Sequence, residues 1–205
     1  MTFPSFRLRR RPCASADRVP GRTGKETLHF PLPVPARLAI IAAEFHTGGN
    51  MKCFDAGDID GICEYAPDAL ALPLTEALSL ASRKLRGLIE LPSLKMAIVV
   101  FSSLDPDDAG PLADHHRDLL WKAFGLPVFE QLRGRDGRVV ARECEVHDGL
   151  HFDERGLTTA FGAAELCSPE ISREPCDCGV ETPRLRNLHP LRLSAPTAKA
   201  RAAAA

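Results

Sequence analysis

Between residues 68 and 146 the apolar positions change period several times, and each change marks an element. From Asp68 to Leu88, residues Leu70, Leu74, Ala77, Leu78, Ala81, Leu85 and Leu88 recur at three- and four-residue steps. Arg83, Lys84 and Arg86 fall near the end and Gly87 at the stop, so the spacing predicts one amphipathic helix, with Leu72-Pro73 disturbing its first turn. Lys95 to Phe101 is a continuous apolar run containing Ile98, Val99 and Val100, the pattern of a strand buried on both faces. Pro111 to Phe124 returns to helical spacing, with Leu112, His115, Leu119 and Ala123 on one face and Leu120, Trp121 and Phe124 extending it. Leu126 to Gln131 and Arg138 to Val146 read as strands joined through Gly134-Arg135-Asp136-Gly137. Strand, helix, strand implies a parallel pair with a crossover, and the turn then implies a hairpin. The fold class expected is α/β, a small partly parallel sheet with flanking helices and an irregular C-terminal segment.

Composition adds boundaries to this pattern. At 205 residues and 44% hydrophobic the chain can hold one moderate core, while 17 prolines and 6% aromatic residues imply that much of it is irregular. A formal net charge of -1 gives no overall pull towards nucleic acid or a membrane surface. The charge is unevenly placed: residues 1 to 50 carry eight cations, Arg7, Arg9, Arg10, Arg11, Arg18, Arg22, Lys25 and Arg37, against Asp17, Glu26 and Glu44, a balance of +5. The arginines precede a polar, proline-broken stretch rather than an apolar core, which argues against a secretory signal. No segment reaches the roughly 18 apolar residues of a membrane span, and a cytoplasmic protein is expected. The division expected is a disordered or mis-assigned extension over 1–50, an α/β domain over 51–188 and a disordered tail over 189–205. Gly48-Gly49-Asn50 precedes Met51, and those codons can spell a ribosome-binding sequence, so Met51 is an alternative start.

The chemistry concentrates near the end of the last predicted strand. Cys144, His151, Cys176 and Cys178 form two short pairs, and three sulfurs with one imidazole nitrogen suit a closed tetrahedral zinc site. Asp148-Gly149 between the first two is a turn that can bring His151 back towards Cys144, and Pro175 and Gly179 bracket the second pair. Cys-x-Cys is tighter than the usual zinc-knuckle gap. Without a metal, Cys144 is a buried strand residue, His151 a hydrogen-bonded edge residue, and Cys176 and Cys178 loop thiols. His147 and Cys167 are the replacement ligands closest in sequence. Asp55 to Asp60 has the acidic spacing of a calcium loop, but its twelfth position is Ala66, so a polar turn is the better reading. Cys53 and Cys63 have no histidine to join them and read as half-buried apolar residues. His115 and His116 read as exposed helix polar residues, and Arg133, Arg135 and Arg138 as a solvated hairpin tip.

The same residues carry a family resemblance. Ala141-Arg142-Glu143-Cys144, Asp148-Gly149-Leu150-His151, Cys176-Asp177-Cys178-Gly179 and Pro183-Arg184-Leu185 together resemble the phenylacetate-CoA ligase branch of the adenylate-forming enzymes. The stretches from Lys95 to Ser103 and from Ala123 to Phe129 extend the likeness over roughly residues 90 to 188. The resemblance implies a structural zinc at the four Cys and His positions and descent from an ATP-dependent acid-CoA ligase. In open α/β sheets ligands sit beyond the carboxyl ends of the strands, here near Ser102-Ser103 and Gln131-Leu132, and the family's adenine-binding role falls on Ser102 and Ser103.

The chain departs from that family where ATP and Mg2+ would be handled. A Gly/Ser/Thr-rich phosphate loop ending in Lys does not occur before residue 95. Where the family has an aromatic-Gly-x-Ser/Thr-Glu motif, this chain reads Phe129-Glu130-Gln131-Leu132-Arg133-Gly134, with Glu130 as its one carboxylate and out of register. About twenty residues follow Leu185, too few for the family's mobile domain and its lysine. The expectation is a zinc-binding, fragment-like relative that is not catalytically complete alone. The alternatives are a reduced or split ligase subunit completed by a partner chain, and a zinc-stabilised interaction module.

Overall fold

The computed structural model describes residues 28–42, 45, 48–103, 110–134, 137–152 and 170–186. Twelve elements lie within them: β1 (Leu38–Ile40), β2 (Met51–Cys53), α1 (Ile59–Tyr65), β3 (Ala69–Pro73), α2 (Leu74–Leu85), β4 (Ile98–Ser103), α3 (Asp114–Phe124), β5 (Val128–Arg133), β6 (Val139–Glu143), β7 (Leu150–Phe152), β8 (Glu170–Ser172) and β9 (Arg184–Arg186). The strands form one sheet in the order β2-β1-β3-β4-β5-β6-β7-β9-β8. Its first five strands are parallel, and every pairing from β5 onward is antiparallel.

The apolar run of β4 explains the parallel half. Ile98 and Val100 pack with α2 and α3 through Leu74, Ala77, Leu80, Leu120 and Ala123, while Val99 and Phe101 pack on the other face with Leu28, Leu38, Ile40 and Phe45. Both faces are covered, so alternation disappears and the strand reads as continuously apolar. The expected parallel pair is β4 with β5, where Ile98 faces Val128 and Ser103 faces Arg133. The expected hairpin joins β5 to β6, closed by hydrogen bonds from Gly134 N to Arg138 O at 2.8 Å and from Gly137 N to Gly134 O at 2.9 Å.

Three expectations are corrected. The helix expected from Asp68 starts at Leu74, because Ala69 to Pro73 is a strand between β1 and β4. Leu70 and Leu72 face the helices while Ala69 and Ala71 face the other layer, so the Ala-Leu alternation has period two. Pro73 disfavours helical geometry at Leu72 and separates strand from helix. The fold also extends upstream of residue 51: Leu38, Ala39 and Ile40 are buried in β1, which lies between β2 and β3, and Phe45 stacks on Phe101 with ring centroids 5.0 Å apart. The polar turn read at Asp55 to Asp60 leads into α1, where the Asp58 carboxylate caps the Gly61 N–H at 3.1 Å. The C-terminal segment is more regular than expected, since β8 and β9 pair within it. The tail expected over 189–205 lies outside the described residues, as do residues 1–27. Among the described residues no helix is long and apolar enough to cross a membrane.

Asp68 holds the starts of three parallel strands together. Its carboxylate accepts from Arg37 N at 2.9 Å and pairs with Lys95 Nζ at 3.2 Å, and its carbonyl accepts from Lys95 N and Met96 N. Burial alone would raise its pKa, but the Lys95 and Arg37 interactions outweigh that and hold it below the ordinary value. Asp68 therefore favours the folded state wherever it is ionised. That contribution is full above the unfolded pKa and is lost as pH falls through the lower folded one.

Two outcomes follow from this packing. Ile40→Ala should cost about 2–5 kcal/mol in a denaturation experiment, and a chain beginning at Met51 should show no cooperative unfolding. Equal stability of full-length and shortened chains would contradict the placement of β1. Asp68→Asn should be less stable than the wild type at pH 7, and the gap should narrow below about pH 4; a gap independent of pH would remove Asp68 from this role.

Candidate metal centre

Two loops meet on one face of the antiparallel half of the sheet. The first leaves β6 at Glu143 and turns with a hydrogen bond from His147 N to Cys144 O at 3.1 Å. It returns as β7, placing His151 opposite Arg142. Gly149 has φ +86°, and a Cβ there would lie 2.5 Å from Leu185 O, so backbone space as well as the positive φ requires glycine. The second loop follows β8 and turns with Gly179 N bonded to Cys176 O at 2.9 Å. It then enters β9, where Arg184 lies opposite His151.

These turns bring all four residues expected as metal ligands together. Cys144 Sγ lies 3.8 Å from Cys176 Sγ, and Cys178 Sγ lies 3.3 Å from His151 Nε2. The four ligating atoms are all within 4.8 Å of one another. A tetrahedral ion with metal–sulfur bonds of ~2.3 Å has sulfur–sulfur edges of about 3.8 Å, whereas a disulfide would require about 2.05 Å. The Cys144–Cys176 separation matches such an edge, and the group could hold a metal ion.

Thr182 lies against the ring nitrogen that faces away from the thiols. His151 Nδ1 lies 3.3 Å from Thr182 O and 3.1 Å from Thr182 Oγ1. Donation from Nδ1 to the Thr182 carbonyl leaves the Nε2 lone pair turned to the thiols, the tautomer a metal takes. Burial, with the charges of Arg184 and Arg142, holds the His151 pKa below the ordinary imidazole value, against the Thr182 contact. Burial pushes Cys144 up to about 12, with the Cys178 and Cys176 thiols adding to the rise and the Val146 N–H opposing it. For Cys176 burial also opposes ionisation, but the Cys178 N–H, the neighbouring thiols and Arg184 together hold it below the ordinary thiol value.

His147 belongs elsewhere: its Nδ1 contacts Glu143 Oε1 at 2.9 Å and its ring stacks on Phe129 with centroids 4.6 Å apart. Cys167 lies outside the described residues. Cys53 and Cys63 point their thiols to different carbonyls, those of Phe45 and Glu90.

The two serines expected at the nucleotide site differ. Ser102 is buried, and its hydroxyl donates to Glu130 Oε1 at 2.5 Å. The same oxygen accepts from Leu112 N at 2.9 Å. Glu143 Oε2 accepts from Arg117 Nη2 at 3.0 Å and from Glu130 N at 2.8 Å. Burial raises the Glu130 pKa, and Glu143 adds to the rise, while the Leu112 and Ser102 hydrogen bonds and Arg117 oppose it. Ser103 is half-buried at the carboxyl end of β4, beside residues 104–109, which lie outside the described residues. The network of Glu130, Glu143 and Arg117 borders a cavity of about 790 Å3 whose wall includes Trp121 and Leu185. Sequence reasoning missed this network and Arg184. Glu130 and Glu143 sit on a strand face otherwise occupied by Val128, Leu132 and Ala141, and that alternation was the available signal.

No protein-family model matches the chain, and no curated protein matches it by sequence. Its fold does match a solved structure, an open conformation of 2-hydroxyisobutyryl-CoA ligase in complex with 2-HIB-AMP and CoA. The TM-score is 0.50 at 16% sequence identity, over 74% of this chain and 47% of that one. The chain therefore spans about half the length of that ligase chain. The likeness is one of fold: this α/β sheet is similar in its course to part of an acyl-CoA ligase.

Proposed function

We propose that Cys144, His151, Cys176 and Cys178 hold a structural zinc ion, and that the domain is a relative of the zinc-bearing portion of phenylacetate-CoA ligase type enzymes that is not catalytically complete by itself. The observation that carries this reading is the convergence of three sulfurs and one correctly oriented imidazole nitrogen within 4.8 Å. Three thiolates favour zinc over magnesium or calcium, which take oxygen ligands. Four protein ligands leave no open position for a reacting group, the mark of a structural rather than a catalytic site. Bound there, zinc would join the end of β6, strand β7 and the loop entering β9.

The carboxylate pattern supports the second half of the proposal. Glu130, the one acid in the stretch where the ligase family positions Mg2+, is turned into the sheet and bonded by Ser102 and Leu112. A second reading, a reduced or split acid-CoA ligase subunit using ATP and Mg2+, draws on the fold neighbour whose structure holds 2-HIB-AMP and CoA. In that reading a nucleotide meets Ser103 at the carboxyl end of β4, and a partner chain supplies the missing phosphate loop and lysine. A zinc-stabilised interaction module is the third reading, drawing on Val146 and Val180, each two residues beyond a ligand cysteine and partly exposed.

Metal analysis of the purified full chain should find one zinc per chain, absent from Cys176→Ser, with a lower melting temperature in the variant. Zinc retention should fall as pH falls, because each ligand thiol must lose a proton to bind and Cys144, at about 12 without metal, keeps its proton through the neutral range. Metal-free protein of unchanged stability would end the zinc reading. Calorimetric titration with ATP-Mg2+ should give no heat at millimolar ligand; saturable binding would transfer the argument to the split ligase.

A further inference from the structure

Arg184 is the largest fully buried side chain among the described residues, at 2% exposure. Its guanidinium spans both ligand-bearing loops. Nη1 donates to the Asp148 carbonyl at 3.2 Å and pairs with the Asp148 carboxylate, within the segment from Cys144 to His151. Nη2 donates to Glu174 O at 3.0 Å and to Pro175 O at 3.4 Å, just before Cys176. Strand pairing sets Arg184 opposite His151 on one side and Ser172 on the other. One planar group thus bonds to the segment holding two ligands and to the residue preceding a third.

We propose that Arg184 is a positioning residue for the metal centre, holding the two ligand loops in register before metal arrives and offsetting the charge of the filled site. The inference rests on reading the four side chains as a metal centre. Its geometric part follows from the bonds: none of the atoms that accept from Arg184 is one of the four ligating atoms, so these contacts do not depend on metal coordination. A leucine in β9 would fill the same layer, whereas burying a guanidinium carries several kcal/mol of desolvation. Hydrogen bonds from Nη1 and Nη2 to three carbonyls and a carboxylate offset part of that cost, while Nε has no partner among the described residues.

The charge part follows from counting. A divalent ion with three thiolates and a neutral imidazole carries one net negative charge. Asp148 is shared by Arg184 and Arg186, whose Nη2 lies 2.6 Å from the same carboxylate oxygen. Two guanidinium groups and one carboxylate leave one net positive charge beside the site. Loaded centre and arginine group are therefore opposite in sign; of the group, Arg184 is buried, while Asp148 and Arg186 are 40% and 29% exposed and more open to screening.

The test compares wild type with Arg184→Met, which keeps the length without the bonds or charge, and Arg184→Lys, which keeps the charge and loses the fork. Zinc affinity, measured by competition with a chelator on folded protein, should weaken by about 10- to 100-fold in the methionine variant, with partial recovery in the lysine variant. Amide exchange of the metal-free proteins should show residues 144–151 and 174–184 protected in the wild type and unprotected in Arg184→Met, while β3, β4 and β5 stay protected in both. Should the methionine variant fail to fold, Asp148→Asn, which leaves the Glu174 and Pro175 bonds, should still lower affinity and loosen residues 144–151 alone. A wild type that takes up zinc no more tightly than these variants would overturn this inference and leave the metal centre standing. A wild type that takes up no zinc would overturn the metal centre beneath it.

Discussion

When Leu150 and His151 pair with Leu185 and Arg184, two segments distant in sequence are set edge to edge, and the antiparallel half of the molecule takes its form from that pairing. It places a histidine beside an arginine on one face and two leucines on the other. The leucines join Leu132, Ala141 and Phe152 in a small apolar cluster. On the opposite face the histidine and arginine draw in Cys144, Asp148, Cys176 and Cys178. Strand period converts one register into two chemistries, and a slip by one residue would exchange them.

The two halves of the sheet are held by different physics. Around β4 the parallel strands are apolar on both faces and sit between two large hydrophobic clusters, so solvent exclusion is the main source of their order, with Asp68 tying the strand starts. Beyond β5 the apolar cluster has five fully buried members, too few to fix several three-residue strands. Buried polar groups take up the task there: Glu130 with Ser102, Glu143 with Arg117, Arg184 with Asp148. Such groups are costly unless every partner is in place, which makes this half more specific in geometry and more sensitive to single substitutions. A metal bound by the four ligand residues would add one more crosslink where hydrophobic burial is weakest.

Legibility in the sequence followed the same division. The β4 run, the α3 periodicity and the glycine-bounded β5–β6 turn are local signals, and the structure has those elements. Strands β1 and β2 were illegible because three residues cannot display a period, and β1 is fixed by neighbours that come later in the chain. Ala69 to Leu72 satisfied strand and helix spacings together, and only pairing with β4 decides between them. The four Cys and His residues were legible as a set because their chemistry is rare and shared. Arg184 was visible only as a letter in a motif: nothing local says that a charge will be buried, since its partners Asp148, Glu174 and Pro175 are assembled by the fold. Ser102 shows a different limit: its place at a strand end was legible, but not that its hydroxyl bonds the buried Glu130 carboxylate.

The fold is similar to part of an acyl-CoA ligase, while the residues that distinguish this chain are those of its Cys and His cluster and the buried charges around it. X-ray absorption at the zinc edge on the purified chain tests the account most directly. Three sulfur neighbours at about 2.3 Å and one nitrogen at about 2.0–2.1 Å are the expected result. A zinc signal with only oxygen and nitrogen neighbours, or no zinc at all, would contradict it.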